Sequence, residues 1–407
     1  MHVIFIAPHF PANQRQFVRA LHAVGAGVTG IGDSPIEHLD GELKSWMVGY
    51  EYVPNLTDEG ALLDAVRRIQ RRGWVDRLEC TVEALMLTTA RVREATRIPG
   101  PSVDQILLCR DKFVMKQFLR ERGIPCARNA AVNTYDEARA FADEVGYPLI
   151  VKPRDGAGAS GTSKCSNYAE LEAALRELGL GHPRVFATIE EFVSGHEGFY
   201  DTLTVNGEVV FEAVSHYYPN VLDGMRNRWI SPYIITTNRV ASEGYTELKV
   251  MGRKVIKALG LQTAPTHMEW FFGEKGLAFS EIGARPPGVR FWDIYCWAND
   301  LDLYVEWAKA LCYGSCSPKP SRKYSAGLIS VRPNQDGHIV GYSGLDRVQE
   351  RCAGWLGDIH LPAIGSHTAD VGSGYMGHAW LHVRHPDYDE CRRMLDFIGE
   401  TLKVWAK

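Results

Sequence analysis

Several signatures are missing from this 407-residue chain, and each absence removes a class of function. None of the nine cysteines forms a CxxC pair, and the closest spacing, Cys312-x₃-Cys316, has no second pair to complete a zinc site. Basic and acidic residues nearly balance, 45 against 49, so no basic field exists to draw nucleic acid or a membrane surface. The N-terminal HVIFIAP run is far too short for a membrane span and lacks a basic flank and a cleavage site. An odd set of scattered cysteines without a secretory leader is the pattern of reduced thiols, so the expected compartment is the cytoplasm. Repeats and low-complexity tracts are absent. The first loop, Pro8-His9-Phe10-Pro11, has no GxGxxG, and no GK[ST] closes a P-loop.

What is present is an ordinary globular composition, 45% hydrophobic and 23% charged, on a chain too long for one core. Residues 2–7 are a continuous apolar run, residues 14–24 have helical spacing, and residues 28–32 form the next strand. This β-α-β opening, with further helices at 62–69 and 82–96, predicts a doubly wound α/β domain over residues 1–100. Ile98-Pro99-Gly100-Pro101 is its natural boundary, and the Gly-, Ser- and Pro-rich stretch 313–323 marks another. Between them alternate helices and strands, including a hairpin around Asn206-Gly207. Strands near 326–332 and 379–383 and a helix over 388–404 suggest a small C-terminal α+β domain, 316–407.

The stretch HMEWFFGEKGLAFSEIGARPPG (267–288) is the most informative. Two apolar segments flank Gly273-Glu274-Lys275-Gly276, so it reads as a β-hairpin. With a three-residue loop, Glu274 to Gly276, and Gly276 left-handed, Glu269 lies directly opposite Glu281. His267, Glu269, Glu281 and Arg285 then share one face, and Trp270 and Phe272 point to the other, toward a core. Two facing carboxylates repel unless a cation sits between them, and a divalent metal carrying phosphate would supply that charge. A surface hairpin with solvated acids is the plain alternative.

Two more segments have chemistry-bearing residues. In YPLIVKPRDGAGASGTSK (147–164) a strand delivers Lys152 ahead of a loop containing Gly156, Gly158 and Gly161, whose backbone N–H groups can wrap a polyphosphate. In TIEEFVSGHE (188–197) a strand ends on Glu190 and Glu191, and Glu197 follows beyond a bend. A strand edge can read adenine, and a carboxylate beyond it can accept both ribose hydroxyls. A mobile surface loop and a pair of solvated acids are the alternatives.

These segments, with Lys112 in RDKFVMKQFL, occur in one order: Lys112, Lys152 with its glycine loop, EEFVSGHE, then Glu269 and Glu281-Ile-Gly-Ala-Arg285. That order resembles the ATP-grasp superfamily along nearly the whole chain, closest to its carboxylate–amine (L-amino-acid) ligase and biotin carboxylase-like group. The resemblance implies an α/β and α+β architecture: the N-terminal domain, a two-lobed ATP-binding domain at 101–315 with a lid at about 135–200, and the C-terminal domain. It assigns Lys112 and Lys152 to the phosphates, with the loop Gly158, Ala159, Ser160 and Gly161 over them. It places Glu190, with the backbone of Glu191, Phe192 and Val193, at adenine and Glu197 at ribose. Glu269 and Glu281 would hold Mg²⁺, or Mn²⁺ in its place, and Arg285 would stabilise the transferred phosphoryl group. Family members commonly have asparagine two residues after the second acid as a further metal ligand; here it is Gly283. His267, opposite it, would more readily be structural or substrate-facing than a ligand, because Mg²⁺ prefers oxygen.

The expected reaction activates a carboxylate as an acyl phosphate, which an amine then attacks, giving an amide, ADP and phosphate. Small-molecule carboxylate and amine substrates follow from that. Biotin carboxylase-like or other carboxyphosphate chemistry is the rival within the fold, although no Met-Lys-Met biotin acceptor is present. A non-catalytic ATP-binding protein is the rival of another class. Arg290 is placed to pair with a substrate carboxylate, or else lies on the surface of the following helix. The aromatic and basic stretch 215–239, with His216, Arg226 and Arg228, reads as a loop over the acceptor site or an ordinary insertion. His9 and Phe10 sit where open α/β sheets bind ligands. Dimers are common in the family, but no exposed stripe in the sequence argues for one.

Overall fold

The computed structural model describes residues 1–154, 161–182 and 185–407. Its first sheet is parallel, in the order β3-β2-β1-β4, from β1 (His2–Ile6), β2 (Gly27–Gly32), β3 (Gly49–Tyr52) and β4 (Arg77–Glu79). Val3 and Phe5 face one apolar cluster and Ile4 and Ile6 another, as strand alternation requires when helices cover both faces. The boundary at Ile98 to Pro101 is tied back by buried Arg93, which donates to the Leu78 and Pro101 carbonyls, each at 2.8 Å.

A second, antiparallel sheet has the order β5-β8-β6-β7, from β5 (Asn129–Val132), β6 (Leu149–Pro153), β7 (Ser163–Cys165) and β8 (Ala187–Glu191). Helices Tyr135–Val145 and Tyr168–Glu177 pack on it around Leu149, Val151, Leu171 and Ile189. Both start on side-chain caps: Thr134 and Glu137 form a reciprocal capping box, and Asn167 accepts from the Glu170 amide.

The third sheet has eight antiparallel strands. It contains β9 (His196–Val205), β10 (Glu208–Tyr218), β11 (Tyr233–Thr236), β12 (Ala264–Gly273), β13 (Gly276–Gly283) and β14 (Ser325–Val331). A short β15 (Ile339–Ser343) intervenes before β16 (Leu356–His360) and β17 (Ala379–His385), and β18 (Lys403–Ala406) pairs with β15. The order β13-β12-β9-β10-β11-β14-β17-β16 runs straight across the boundary expected near 315. The C-terminal segment thus extends the central sheet through β14, and the connection at 313–323 is a crossing loop. β18 occupies the end of what reads as one helix over 388–404; the helix stops at Thr401.

Alternation divides the large sheet cleanly. Tyr200, Val214, Met268, Trp270 and Ile282 pack beneath helix Thr246–Leu259. Phe199, Tyr217, Ile234 and Leu328 face helices Phe291–Asn299 and Leu303–Tyr313. The stretch 215–239, which shows no clear period, contains the end of β10, a short helix Val221–Arg226 and β11. No described helix is long and apolar enough to cross a membrane.

Candidate active site

The hairpin places Glu269 opposite Glu281 and His267 opposite Gly283, as expected, but by a different route. Gly273 pairs with Gly276 across the two residues Glu274-Lys275, which alone would set Glu269 against Ser280. A bulge between Glu269 and Trp270 takes up the extra residue and restores the register. Gly276 is left-handed, with φ +84°. Trp270 is buried, whereas Phe272 is exposed rather than in a core, at the sheet's end where it pairs with His196, the first residue of β9.

In front of this hairpin a cavity of about 340 Å³ opens between the large sheet and the second sheet. Lys112, Lys116, Lys152, Glu190, Glu197, Glu269, Glu281 and Arg285 all line it. Lys112 begins helix Lys112–Arg120, whose N-cap Asp111 accepts from the Phe113 and Val114 amides and from Arg154 at the end of β6. Its Nζ lies 3.3 Å from Glu281 Oε2. One turn on, Lys116 Nζ donates to Glu190 Oε2 at 2.6 Å, and Lys152 Nζ reaches the same oxygen at 2.9 Å.

These charges set one another. Burial works against ionising Glu190, but Lys116 and Lys152 outweigh it and hold the carboxyl below its usual range. Burial pulls Lys116 below the usual lysine range, while Glu190 and Glu281 hold Lys152 above it. Burial likewise opposes charge on Glu281, yet Lys112, Lys152 and Lys116 keep it ionised. At Glu197 burial and the neighbouring Glu269 outweigh the Val221 amide and the pull of Lys152, and push it up to about 8. Glu269 and Glu281 face each other on one wall, and the oxygens of such a pair fit a hard divalent cation. No cluster of three or more metal-ligating side chains occurs among the described residues, which suits a site completed by phosphate oxygens.

At the opposite end of the nucleotide side, Ala127, Ile150, Phe192 and Val193 line the cavity and Lys164 lies 3.8 Å from the Phe192 ring centre. The Glu191 and Phe192 amides are engaged, donating to Arg128 and Pro148 carbonyls at 2.9 and 3.2 Å. Glu197 accepts from the Val221 amide at 2.7 Å. The expected loop residues Gly158, Ala159 and Ser160 lie outside the described residues. Gly161, with φ +67°, leaves a Cβ only 3.1 Å from Pro153, so glycine is required there.

Arg285 is braced by Glu83, which also accepts from Arg110 at 2.6 Å. Burial opposes the charge on Glu83, but Arg285 and Arg110 hold its carboxyl down at about 2. A Cβ on Gly283 would meet Glu83 Oε2 at 3.3 Å and Arg285 Cγ at 3.4 Å, so this pair occupies the space beside the position where asparagine is common. His267 Nδ1 lies 2.7 Å from Asp201 Oδ1 and its Nε2 lies 3.7 Å from Glu269 Oε1. Burial lowers its pKa, but Asp201 and Glu269 raise it further, to about 9, which favours the charged imidazolium. Tyr295 donates to the other Asp201 oxygen at 2.6 Å.

Arg290 does not line the cavity. It is left-handed at the start of helix Phe291–Asn299, and its Nε pairs with Asp293 at 2.7 Å. His216 lies on the other sheet face, between His196 at 2.9 Å and Tyr245 at 2.8 Å. Arg226 donates to the Thr162 carbonyl, and Arg228 pairs with Asp336 at 2.6 Å. His9 faces Asp33 at 3.4 Å, and Phe10 is exposed away from the cavity. Sequence reasoning missed Lys116 and Glu83. The first is signalled by its i+4 spacing from Lys112, the second by its place at the carboxyl end of β4. Asp201, Tyr217 and Tyr375 have no comparable local signal.

Residues 145–290 match a family model described as an ATP-grasp domain. The chain is 27% identical over 272 residues to a Bacillus subtilis protein described as an L-arginine-specific L-amino acid ligase. That match covers 64% of this chain and 65% of the ligase, a little under two thirds of its length. An L-amino acid ligase structure from Bacillus licheniformis superposes with a TM-score of 0.76 at 18% identity, covering 100% of this chain and 98% of the other. The biotin carboxylase domain of a Hydrogenobacter thermophilus 2-oxoglutarate carboxylase, a dimer in complex with MgADP and bicarbonate, superposes with a TM-score of 0.69 at 18% identity over 99% and 90% of the chains.

Proposed function

We propose, from the ATP-grasp match over residues 145–290 and from the fold, that the chain is a member of the ATP-grasp superfamily and an ATP-dependent carboxylate–amine ligase acting on an amino acid or similar carboxylate. The observation that carries the reading is the opposed pair Glu269 and Glu281 facing Lys112, Lys116 and Lys152 across one cavity. Neither a surface hairpin nor a mobile loop would bury both signs of charge together.

In this reading ATP lies with adenine toward Ile150, Phe192 and Val193 and ribose toward Glu197. Glu190 keeps Lys116 and Lys152 in place until the polyphosphate offers them more negative charge. Lys112, released from Glu281, turns to the same phosphates. Glu269 and Glu281 hold Mg²⁺, which when bound neutralises charge on the transferring phosphoryl group. Arg285, aimed by Glu83, adds a fixed positive charge there. The substrate carboxylate oxygen attacks the γ-phosphorus, the bond to the bridging oxygen breaks, and ADP leaves. The amine nitrogen then attacks the acyl carbon, phosphate departs with the bonding pair, and the nitrogen loses a proton to give the amide.

The test is phosphate release with amino acids supplied in pairs, with mass spectrometry of the products. Dependence on an amino acid and a product of condensed mass support the ligase. ATP cleavage stimulated by bicarbonate alone would move the protein to carboxyphosphate chemistry, as in the biotin carboxylase neighbour. Tight ATP binding with no turnover under any condition would make it a non-catalytic nucleotide-binding protein.

A further inference from the structure

The cavity continues past the metal-binding pair, and the strand registers say where it goes. Glu281 lies opposite Glu269, and Glu269 lies opposite Phe199 on β9. Phe199 lies opposite Ser215 on β10; Tyr217, two residues on, shares that face and lies opposite Ile234 on β11. One row of the sheet therefore changes from carboxylates to Phe199, Tyr217 and Ile234 within three strand steps, about 14 Å at the usual strand spacing. Phe291 stands over this row, its ring 5.3 Å from that of Phe199. Tyr217 packs 5.1 Å from Phe199 and stacks on Tyr375 at 6.3 Å. Met225 and Val289 complete the wall.

We propose that this far end is the side-chain pocket of the carboxylate substrate, and that the substrate is an amino acid with an apolar side chain. The proposal rests on the ligase reading and narrows it. The lysines and the arginine that line the described cavity, Lys112, Lys116, Lys152, Lys164 and Arg285, belong to the nucleotide and metal side, and His267, whose ring packs 4.8 Å from that of Phe199, is already engaged by Asp201 and Glu269. Of the acids, Asp223 on the far wall is exposed to solvent, and Glu269, to which the Tyr217 hydroxyl donates at 3.3 Å, is already faced by His267. A guanidinium or carboxylate side chain pushed against Phe199, Tyr217 and Ile234 would lose its water without gaining a buried counter-charge. Arg332 lies behind this wall and not on it: it donates to the Asn227, Ile230 and Val371 carbonyls at 3.1, 2.9 and 3.2 Å. It is therefore spent on holding the two loops that bring in Met225 and Tyr375.

The pocket also has one polar contact to offer. The Tyr375 hydroxyl is buried on the cavity wall and has no partner among the described residues. Burial, with Glu197 close by, keeps the phenol protonated, so it can serve a polar group of the amino acid at the border between the two ends. An apolar side chain beyond that border gains from the burial alone.

The experiment uses the full chain with Mg-ATP, hydroxylamine as a common amine, and each amino acid in turn as the acid, reading hydroxamate and phosphate. Leucine, methionine and phenylalanine should exceed arginine, lysine and glutamate by about tenfold or more in kcat/KM, the factor expected for burying one apolar side chain. Met225→Glu, which puts a carboxylate on that wall, should move the preference at least about tenfold toward arginine and lysine. Arginine or glutamate as the best substrate of the unaltered protein would overturn the apolar pocket and leave the ligase reading intact. Hydroxamate from no amino acid at all would overturn the ligase reading and the pocket with it.

Discussion

The two ends of one cavity are built on different principles. At the charged end the lysines and the arginine that line the cavity are braced by carboxylates: Lys116 and Lys152 on Glu190, Lys112 on Glu281, Arg285 on Glu83. At the far end the walls are mostly rings and aliphatic chains; the Tyr217 hydroxyl donates to Glu269 at 3.3 Å, and the Tyr375 hydroxyl has no partner among the described residues. A phosphoryl group must meet fixed charge that needs no rearrangement, so its site is cross-linked in advance. A side-chain pocket only has to match shape and polarity.

Perturbing each end should therefore give a different kind of defect. The largest is expected for Glu281→Ala or Glu269→Ala: loss of one metal-binding carboxylate should lower kcat by about 10³-fold or more. Phosphate release checks this, and retained turnover would remove the metal assignment. Next is Glu83→Gln, which leaves Arg285 charged and buried beside a neutral amide; kcat should fall by about 10- to 100-fold. The same variant has a pH signature. Glu83 is held at about 2 by Arg285 and Arg110, against an ordinary value near 4.5. Its stabilising contribution, on the order of 3 kcal/mol, is fully present above about pH 4.5 and is lost as pH falls toward 2. Urea unfolding between pH 7 and 3 should show a steeper acid loss for the parent than for Glu83→Gln, and identical profiles would contradict the brace. Tyr375→Phe belongs to the far end: KM for the amino acid should rise about 3- to 10-fold while ATP affinity holds, because only one neutral hydrogen bond is lost. Gly283→Asn should have the smallest effect on turnover, its side chain needing only a few tenths of an ångström of give from Glu83 and Arg285. A magnesium titration would show any tightening of metal dependence in that variant.

The same contrast explains what the sequence could reveal. Lys112, Lys152, Glu190, Glu269, Glu281 and Arg285 lie in short segments whose local form, a strand, a helix start or a hairpin, fixes where the side chain goes, and the structure brings all six to one cavity. The hairpin register was readable because alternation ties every residue of a strand to one face, although a bulge and not a longer loop delivers it. Glu83 lies 202 positions before Arg285, and no period connects them. Tyr375 lies in an irregular loop that enters the cavity because Arg332 draws Val371 toward Asn227 and Ile230. The C-terminal strands looked like a separate domain because strand partners cannot be read from a single strand; β14 finds β11 across 89 residues of chain between Thr236 and Ala326. Of the two readings of Arg290, substrate partner or arginine of the following helix, the second fits its left-handed place at the helix start and its pairing with Asp293.

The central claim is that the charged end activates an amino-acid carboxylate at the expense of ATP. Its most direct measurement is phosphate release by the purified chain with Mg-ATP and amino-acid pairs, followed by mass spectrometry. The account predicts phosphate, ADP and an amide in equal amounts, all dependent on Glu281. ATP cleavage that ignores amino acids, or no cleavage in their presence, would contradict it.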